Sequence, residues 1–163
     1  MSGPRRFLLL AGIALTAWGM TYGLWYAVFA EHQALGGIGS SLAAGFSAAA
    51  QRDLALADAS LQQYKEAKYI YDRQVDVHSH WIGLAMLLIV VGIGFDRVNA
   101  SKRLKSLLAL GLVLGAVIFP LGVLLQTASH GPFPRAVAIL GSVLVITSLA
   151  GIALGFSRKD ASV

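Results

Sequence analysis

Asp76-Val77-His78-Ser79-His80-Trp81 runs without a break into Ile82–Phe95, and the reading of this stretch decides the fold. A polar segment turns here into an apolar one. His78 to Phe95 are 18 residues without an Asp, Glu, Lys or Arg, and Asp96 is the first charge beyond them. That is close to the length of about 20 apolar residues that a bilayer-spanning helix needs. Two imidazoles, the commonest protein metal ligands, stand at its entrance.

Working upstream, Leu54, Ala57, Leu61, Tyr64, Ala67, Tyr71 and Val75 recur at steps of three and four. This draws one stripe on a helix, with Arg52, Asp53, Gln62, Lys65, Glu66, Arg73 and Gln74 on the other surface. Three residues past Val75 the stripe reaches His78, so one continuous helix would point His78 along the face of Tyr71 and Val75. A break at Asp76 or Ser79, both good N-cap residues, would cancel that relation. Further back, Gln33 to Ala50 is uncharged and rich in Gly, Ala and Ser, which reads as a flexible hairpin or a short interfacial helix.

Three more apolar runs complete the pattern. Phe7–Phe29 is a 23-residue run without charge behind a basic head, Arg5-Arg6. A signal peptide cleaved near Ala17-Trp18-Gly19 is the rival reading, but the apolar run continues beyond it to Phe29, which favours an uncleaved first helix. A third span covers 106–126 and holds Pro120, which predicts a kink. The fourth covers 135–156 and is followed by Arg158-Lys159. Gly19-xxx-Gly23, Gly111-xxx-Gly115 and Gly151-xxx-Gly155 offer small-residue faces for close helix packing. The fold expected is all-α: an integral membrane four-helix bundle with spans at about 7–29, 78–95, 106–126 and 135–156. An extracytoplasmic helical insert fills 30–77.

Composition agrees. The chain is 56% hydrophobic and 13% charged, with a mean hydropathy of +0.69. The net charge of +5 forms no compact basic patch with interleaved aromatics, so it does not predict nucleic-acid binding. It reads instead as topology. Arg5, Arg6, Arg97, Lys102, Arg103, Lys105, Arg158 and Lys159 fall on one side of the spans. Arg52, Lys65, Lys68, Arg73 and Arg135 fall on the other, four of them in the long insert. Both termini are therefore expected in the cytoplasm of a bacterial inner membrane, with Trp25, Tyr26 and Trp81 at the outer headgroups.

With no cysteine, disulfides, thiolate metal sites and covalent haem attachment are excluded, and a metal or haem would rest on His, Met or carboxylate. This topology places His32, His78, His80 and His130 on one side. His78 and His80 are about 200° apart on a regular helix, so a shared metal would take ligands from several helix ends. Such a centre would combine His78 or His80 with His32 and His130, whereas a b-type haem needs one or two axial imidazoles in an apolar slot. His78, His80 and His130 are the candidate haem ligands. The same three with His32 are the candidate metal set. Met20 and Met86 are weaker candidates, and interfacial histidines without a cofactor are the other reading. No phosphate-binding loop, nucleophile constellation or intramembrane acid run marks an enzyme or a transport path.

His78-Ser79-His80-Trp81-Ile82-Gly83-Leu84, followed by a basic connection and two plain apolar helices, resembles a group of small four-helix bacterial membrane proteins. These are similar to a fragment of haem–copper oxidase subunit I. The resemblance implies haem or copper chemistry near the outer surface, with His78 and His80 as the residues it carries over. Its pattern has a short connection between the first two helices, where this chain has 30–77.

Two function classes follow. In one, the chain is a haem- or metal-binding module of a respiratory or redox process, with b-type haem or copper. In the other it is a cofactor-free structural or assembly subunit of a larger membrane complex. It would then dock through 30–77, with Tyr64, Tyr69 and Tyr71 as contact residues. A homo-oligomer in the lipid bilayer is compatible with both.

Overall fold

A computed structural model describes residues 1–157; Arg158 and Lys159, which the topology argument used, lie outside them. The described residues are helical, with no strand. Five α-helices follow in order: α1 (Gly3–Trp25), α2 (Glu31–Ala50), α3 (Leu54–Gly94), α4 (Lys102–Leu125) and α5 (Pro132–Ser157). Four helical stretches are long and apolar enough to cross a membrane: Gly3–Ala50, Leu54–Arg97, Lys102–Leu125 and Pro132–Ser157.

The first surprise is that 30–50 is no flexible hairpin but a helix of 20 residues, Glu31–Ala50, continuous with the first apolar run. A single π-helical turn, Tyr26–Ala30, joins α1 to α2, so Gly3–Ala50 is one unbroken rod. No proline lies between Phe7 and Ala50 to stop the helix. Packing on α3 offsets the poor helix propensity of Gly36, Gly37 and Gly39. The rod reverses at Gln51-Arg52-Asp53. Arg52 takes a left-handed φ of 60°, the Asp53 N–H donates to Ala48 O at 2.9 Å, and the Asp53 carboxylate caps α3 through Leu56 N.

The return helix α3 is also unbroken through Asp76 and Ser79. The Ser79 hydroxyl donates back to Val75 O, and Asp76 pairs with Arg73 one turn before it, so both polar side chains are satisfied inside the helix. The stripe that faces the rod is Ala57, Ser60, Tyr64, Ala67, Tyr71, Gln74 and His78, then Trp81, Ala85, Leu88, Gly92 and Phe95. This corrects the expected stripe at Leu54, Leu61 and Val75, which are exposed. The observed spacing alternates 3 and 4, a 3.5-residue repeat, and a 3.6-residue reading drifts off it. His78 stays on the facing side under both.

The rod answers with Leu8, Gly12, Leu15, Gly19 and Tyr26, and then with Ala34, Ile38, Ser41, Gly45 and Ala48. Each set keeps the same repeat, but the second is displaced by one residue, which the π turn absorbs. Small residues on the seam let the backbones approach. A Cβ at Gly12 would lie 3.0 Å from Ala85 O, and one at Gly19 would lie 3.2 Å from Trp81 Cβ. The α2–α3 pair, here called the arm, continues past the end of α4, whose last residues and following turn still reach it at Tyr69 and Glu66.

Helix α4 starts at Lys102, where the Ser101 hydroxyl accepts from Leu104 N. It packs against both α1 and α3. Pro120 lies within α4 and is buried, so Ala116 O has no helical donor. Helix α5 begins earlier than expected, at Pro132, because proline suits the first turn, where its missing N–H has no helical acceptor. α5 lies chiefly on the far side of α4, so the four apolar stretches pack as three plus one rather than as a four-cornered bundle. The α4–α5 seam is tight at Gly115, where a Cβ would stand 2.8 Å from Gly141 O, and at Gly122 against Ala138. The core centres on Trp81, Phe95, Leu8, Leu88 and Leu112. Around it, Leu10, Ile13, Val90, Ile93, Ile139 and Ile146 all face outward.

Candidate functional site

The histidines concentrate where the arm leaves the spans. His78 reaches from α3 to α1, where its Nδ1–H donates to Gly19 O at 3.0 Å. A carbonyl can only accept, so Nδ1 carries the proton and the neutral ring keeps its lone pair on Nε2. The ring lies against Gly23, the one residue type that leaves room for it. Just above, the Tyr22 hydroxyl donates to Gln74 Oε1, a second polar tie between the rod and α3. Just below, Trp81 is buried with Tyr22 and Trp18 edge-on to it at 5.1 and 5.9 Å. Trp81 is therefore a core residue and not the headgroup anchor expected; Trp18 and Trp25 are the exposed indoles.

His80 points elsewhere. Its Nδ1–H donates to Asp76 O in its own helix, and its ring meets the Phe119 edge of α4 at 4.6 Å. The 200° separation read from helix geometry is thus what the structure has: one imidazole against α1, the other against α4. His130 follows α4 and reaches the arm, with Nε2 3.5 Å from Glu66 Oε2 and its ring 4.7 Å from Tyr69. The Tyr69 hydroxyl donates to Gln126 Oε1 at 3.3 Å, and the Arg73 guanidinium stands 5.2 Å over the Tyr69 ring. His32 is exposed on the first turn of α2.

The expected ligand set is therefore distributed over four surroundings. Among the described residues no group of three or more His, Cys, Asp or Glu gathers within metal-binding reach. Met20 and Met86 both face outward. The junction of Glu66, Tyr69, Gln126 and His130 was not foreseen as a unit. Gln126 sits just past the end of α4, and its partner Tyr69 is 57 residues away, so no local pattern announces the bond.

The arm carries its own surface. Tyr64, half-buried, lines the groove between α2 and α3, but Tyr71 lies on the internal seam and Tyr69 is held by Gln126, so those two do not present a contact face. Leu42, Phe46 and Leu61 do, with Phe46 at 70% exposure. They border a groove of about 220 Å³ between α2 and α3 whose floor is Ser41, Gly45 and Ala57. On the charged side, the Lys68 ammonium is bonded to the Asp72 carboxylate at 2.8 Å, which raises the Lys68 pKa.

No family model, no curated protein and no solved structure matches this chain.

Proposed function

We propose that this chain is a multi-pass inner-membrane protein, with both termini in the cytoplasm, that holds a rigid two-helix arm outside the bilayer. In this reading it serves as a structural or assembly subunit, and the arm docks it to a larger membrane complex. The single observation that carries the reading is the continuity of the helices. Leu54–Gly94 passes from a charged, amphipathic half into an apolar one without a joint, and Gly3–Ala50 runs beside it as one rod, so a partner bound to the arm is fixed relative to the membrane. The windows that mark the spans are only 22–39% buried, and outward apolar faces of that extent suit acyl chains rather than water. Phe46, Leu42 and Leu61 supply an apolar contact face of the kind protein partners use.

The test is purification in mild detergent of the wild-type chain and of Phe46→Asp. The wild type is expected to co-elute with a partner at stoichiometric yield, and Phe46→Asp to elute without it while keeping its helical spectrum. A wild type that elutes alone would overturn the docking role.

A second reading keeps one observation. His78 and His80 both spend Nδ1–H on a backbone carbonyl and leave Nε2 as the basic nitrogen, the arrangement that metal-ligating imidazoles use. Here a b-type haem or copper would take His78, His80 or His130 at the arm end of the spans, as the resemblance to the oxidase-like group implies. Expression with haem and copper supplied tests it. A Soret band or stoichiometric copper that disappears in His78→Ala would establish this reading over the first.

A further inference from the structure

At the end of the spans away from the arm, a cavity of about 570 Å³ opens between the first turns of α1 and α4. Gly3 and Pro4 wall it on one side, Ala100, Lys102, Lys105 and Ser106 on the other. It shares Gly3, Pro4 and Ser106 with a cleft of about 280 Å³ that Phe7 and Ala109 continue one turn deeper along the same two helices. The mouth is polar and cationic; the depth is apolar.

The charge at this end is lopsided. Among the described residues, Arg5, Arg6, Arg97, Lys102, Arg103 and Lys105 fall at this end of the spans with one acid, Asp96. That carboxylate is already occupied by the Ser2 hydroxyl and by Arg5, whose Nη1 lies 3.1 Å from it. Lys105 is anchored on Asp96 O at 3.2 Å, a carbonyl that neutralises nothing. Lys102, one turn before it on the cavity wall, is exposed and pairs with no carboxylate among the described residues. Both helices also begin here, so the positive ends of two helix dipoles add to the two ammonium groups. An occupant must bring negative charge to the mouth and hydrocarbon to the cleft.

We infer that this cavity binds the headgroup phosphate of an anionic phospholipid from the cytoplasmic leaflet, with the acyl chains descending past Phe7 and Ala109. The inference rests on the membrane reading above and is independent of the docking arm. A free phosphate would use the lysines and leave the cleft unfilled. A zwitterionic lipid would bring an ammonium of its own to a mouth already in excess of positive charge.

The experiment uses the full chain in mild detergent, titrated separately with dioctanoyl phosphatidylglycerol, dioctanoyl phosphatidylcholine and inorganic phosphate, with bound lipid read by native mass spectrometry. Phosphatidylglycerol is expected to be retained over phosphatidylcholine. Its affinity should fall about fivefold in Lys102→Gln and again in Lys105→Gln, and should hold in Arg103→Gln, which removes a charge outside the cavity. Lys105→Arg, which keeps the positive charge, should restore binding. Equal retention of the two lipids, or no change in Lys102→Gln, would overturn the site. So would protection by inorganic phosphate alone, which would make it a free-anion site. Carbonate extraction of native membranes keeps the two readings apart: a chain released by carbonate fails the membrane reading, while a chain retained by carbonate but indifferent to lipid charge fails only this one.

Discussion

The imidazole of His78 occupies the space that a side chain at position 23 would need: Nδ1 lies 2.5 Å and Nε2 3.1 Å from where a Cβ on Gly23 would stand. The ring is thereby seated between α3 and α1 and delivered to Gly19 O. Gly23→Ala should force it out and lower stability by about 1–3 kcal/mol, the usual range for overpacking. In His78→Ala the obstruction is gone, so adding Gly23→Ala there should cost about 1 kcal/mol or less. Thermal melts of the four proteins in one detergent complete the cycle. Additive effects would mean that the two residues do not compete for this space.

Asp96 ties the start of α1 to the end of α3. The Ser2 hydroxyl and then the Arg5 guanidinium hold its carboxyl below the ordinary carboxylate range. The charged form is the one favoured by folding, so the contribution is present above the unfolded value of about 3.9 and is lost as pH falls through the lower folded value. Melting temperature should therefore drop between pH 5 and 3 in the wild type and drop less in Asp96→Asn. Because the groups are exposed, added salt should shrink the difference.

The α4–α5 seam has backbone against backbone. A Cβ on Gly141 would collide with Phe119 N and Cα, atoms that cannot rotate away. Gly141→Ala is expected to separate the helices and cost about 2 kcal/mol, whereas Gly83→Ala, with open space around it, should be neutral or slightly stabilising. Equal melting temperatures for the two variants would contradict this packing.

Topology can be read chemically, since the chain has no cysteine of its own. In intact cells a membrane-impermeant thiol reagent should label Gln62→Cys on the arm and spare Arg103→Cys. The reverse pattern would invert the orientation and move the lipid site to the outer leaflet.

Much of this was legible from composition and period. The apolar runs set the four long helices because hydrophobic length is a local property, and the absence of charge from His78 to Phe95 needs no partner to interpret. The continuation of α3 through Asp76 was readable as one of two outcomes, since a cap residue is a cap only if the helix has reason to stop. The helix through Gly36, Gly37 and Gly39 was not readable, because its stability comes from α3 and not from its own residues. Nor were the surroundings of the histidines. Gly23 beneath His78, Phe119 beside His80 and Glu66 beside His130 are partners from other helices or turns, and spacing along one helix carries no record of them.

The π turn at Tyr26–Ala30 has a mechanical consequence. In a straight α-helix each residue advances the azimuth by about 100°, so a single surplus residue between span and arm would swing Ala34, Ser41 and Ala48 away from α3. The wide turn takes up that surplus and keeps the two halves of the rod in phase. Deleting Val28 should turn Tyr26–Ala30 into ordinary α-helix and leave the arm in register. Deleting Ala43, beyond the turn, should put the arm's last two turns out of phase with α3, and a disulfide between cysteines at 45 and 60, where a Cβ on Gly45 would lie 3.5 Å from Ser60 Cβ, should distinguish the two. The direction in which the arm faces is thus set by a residue count, much as the tooth number of a gear sets its timing.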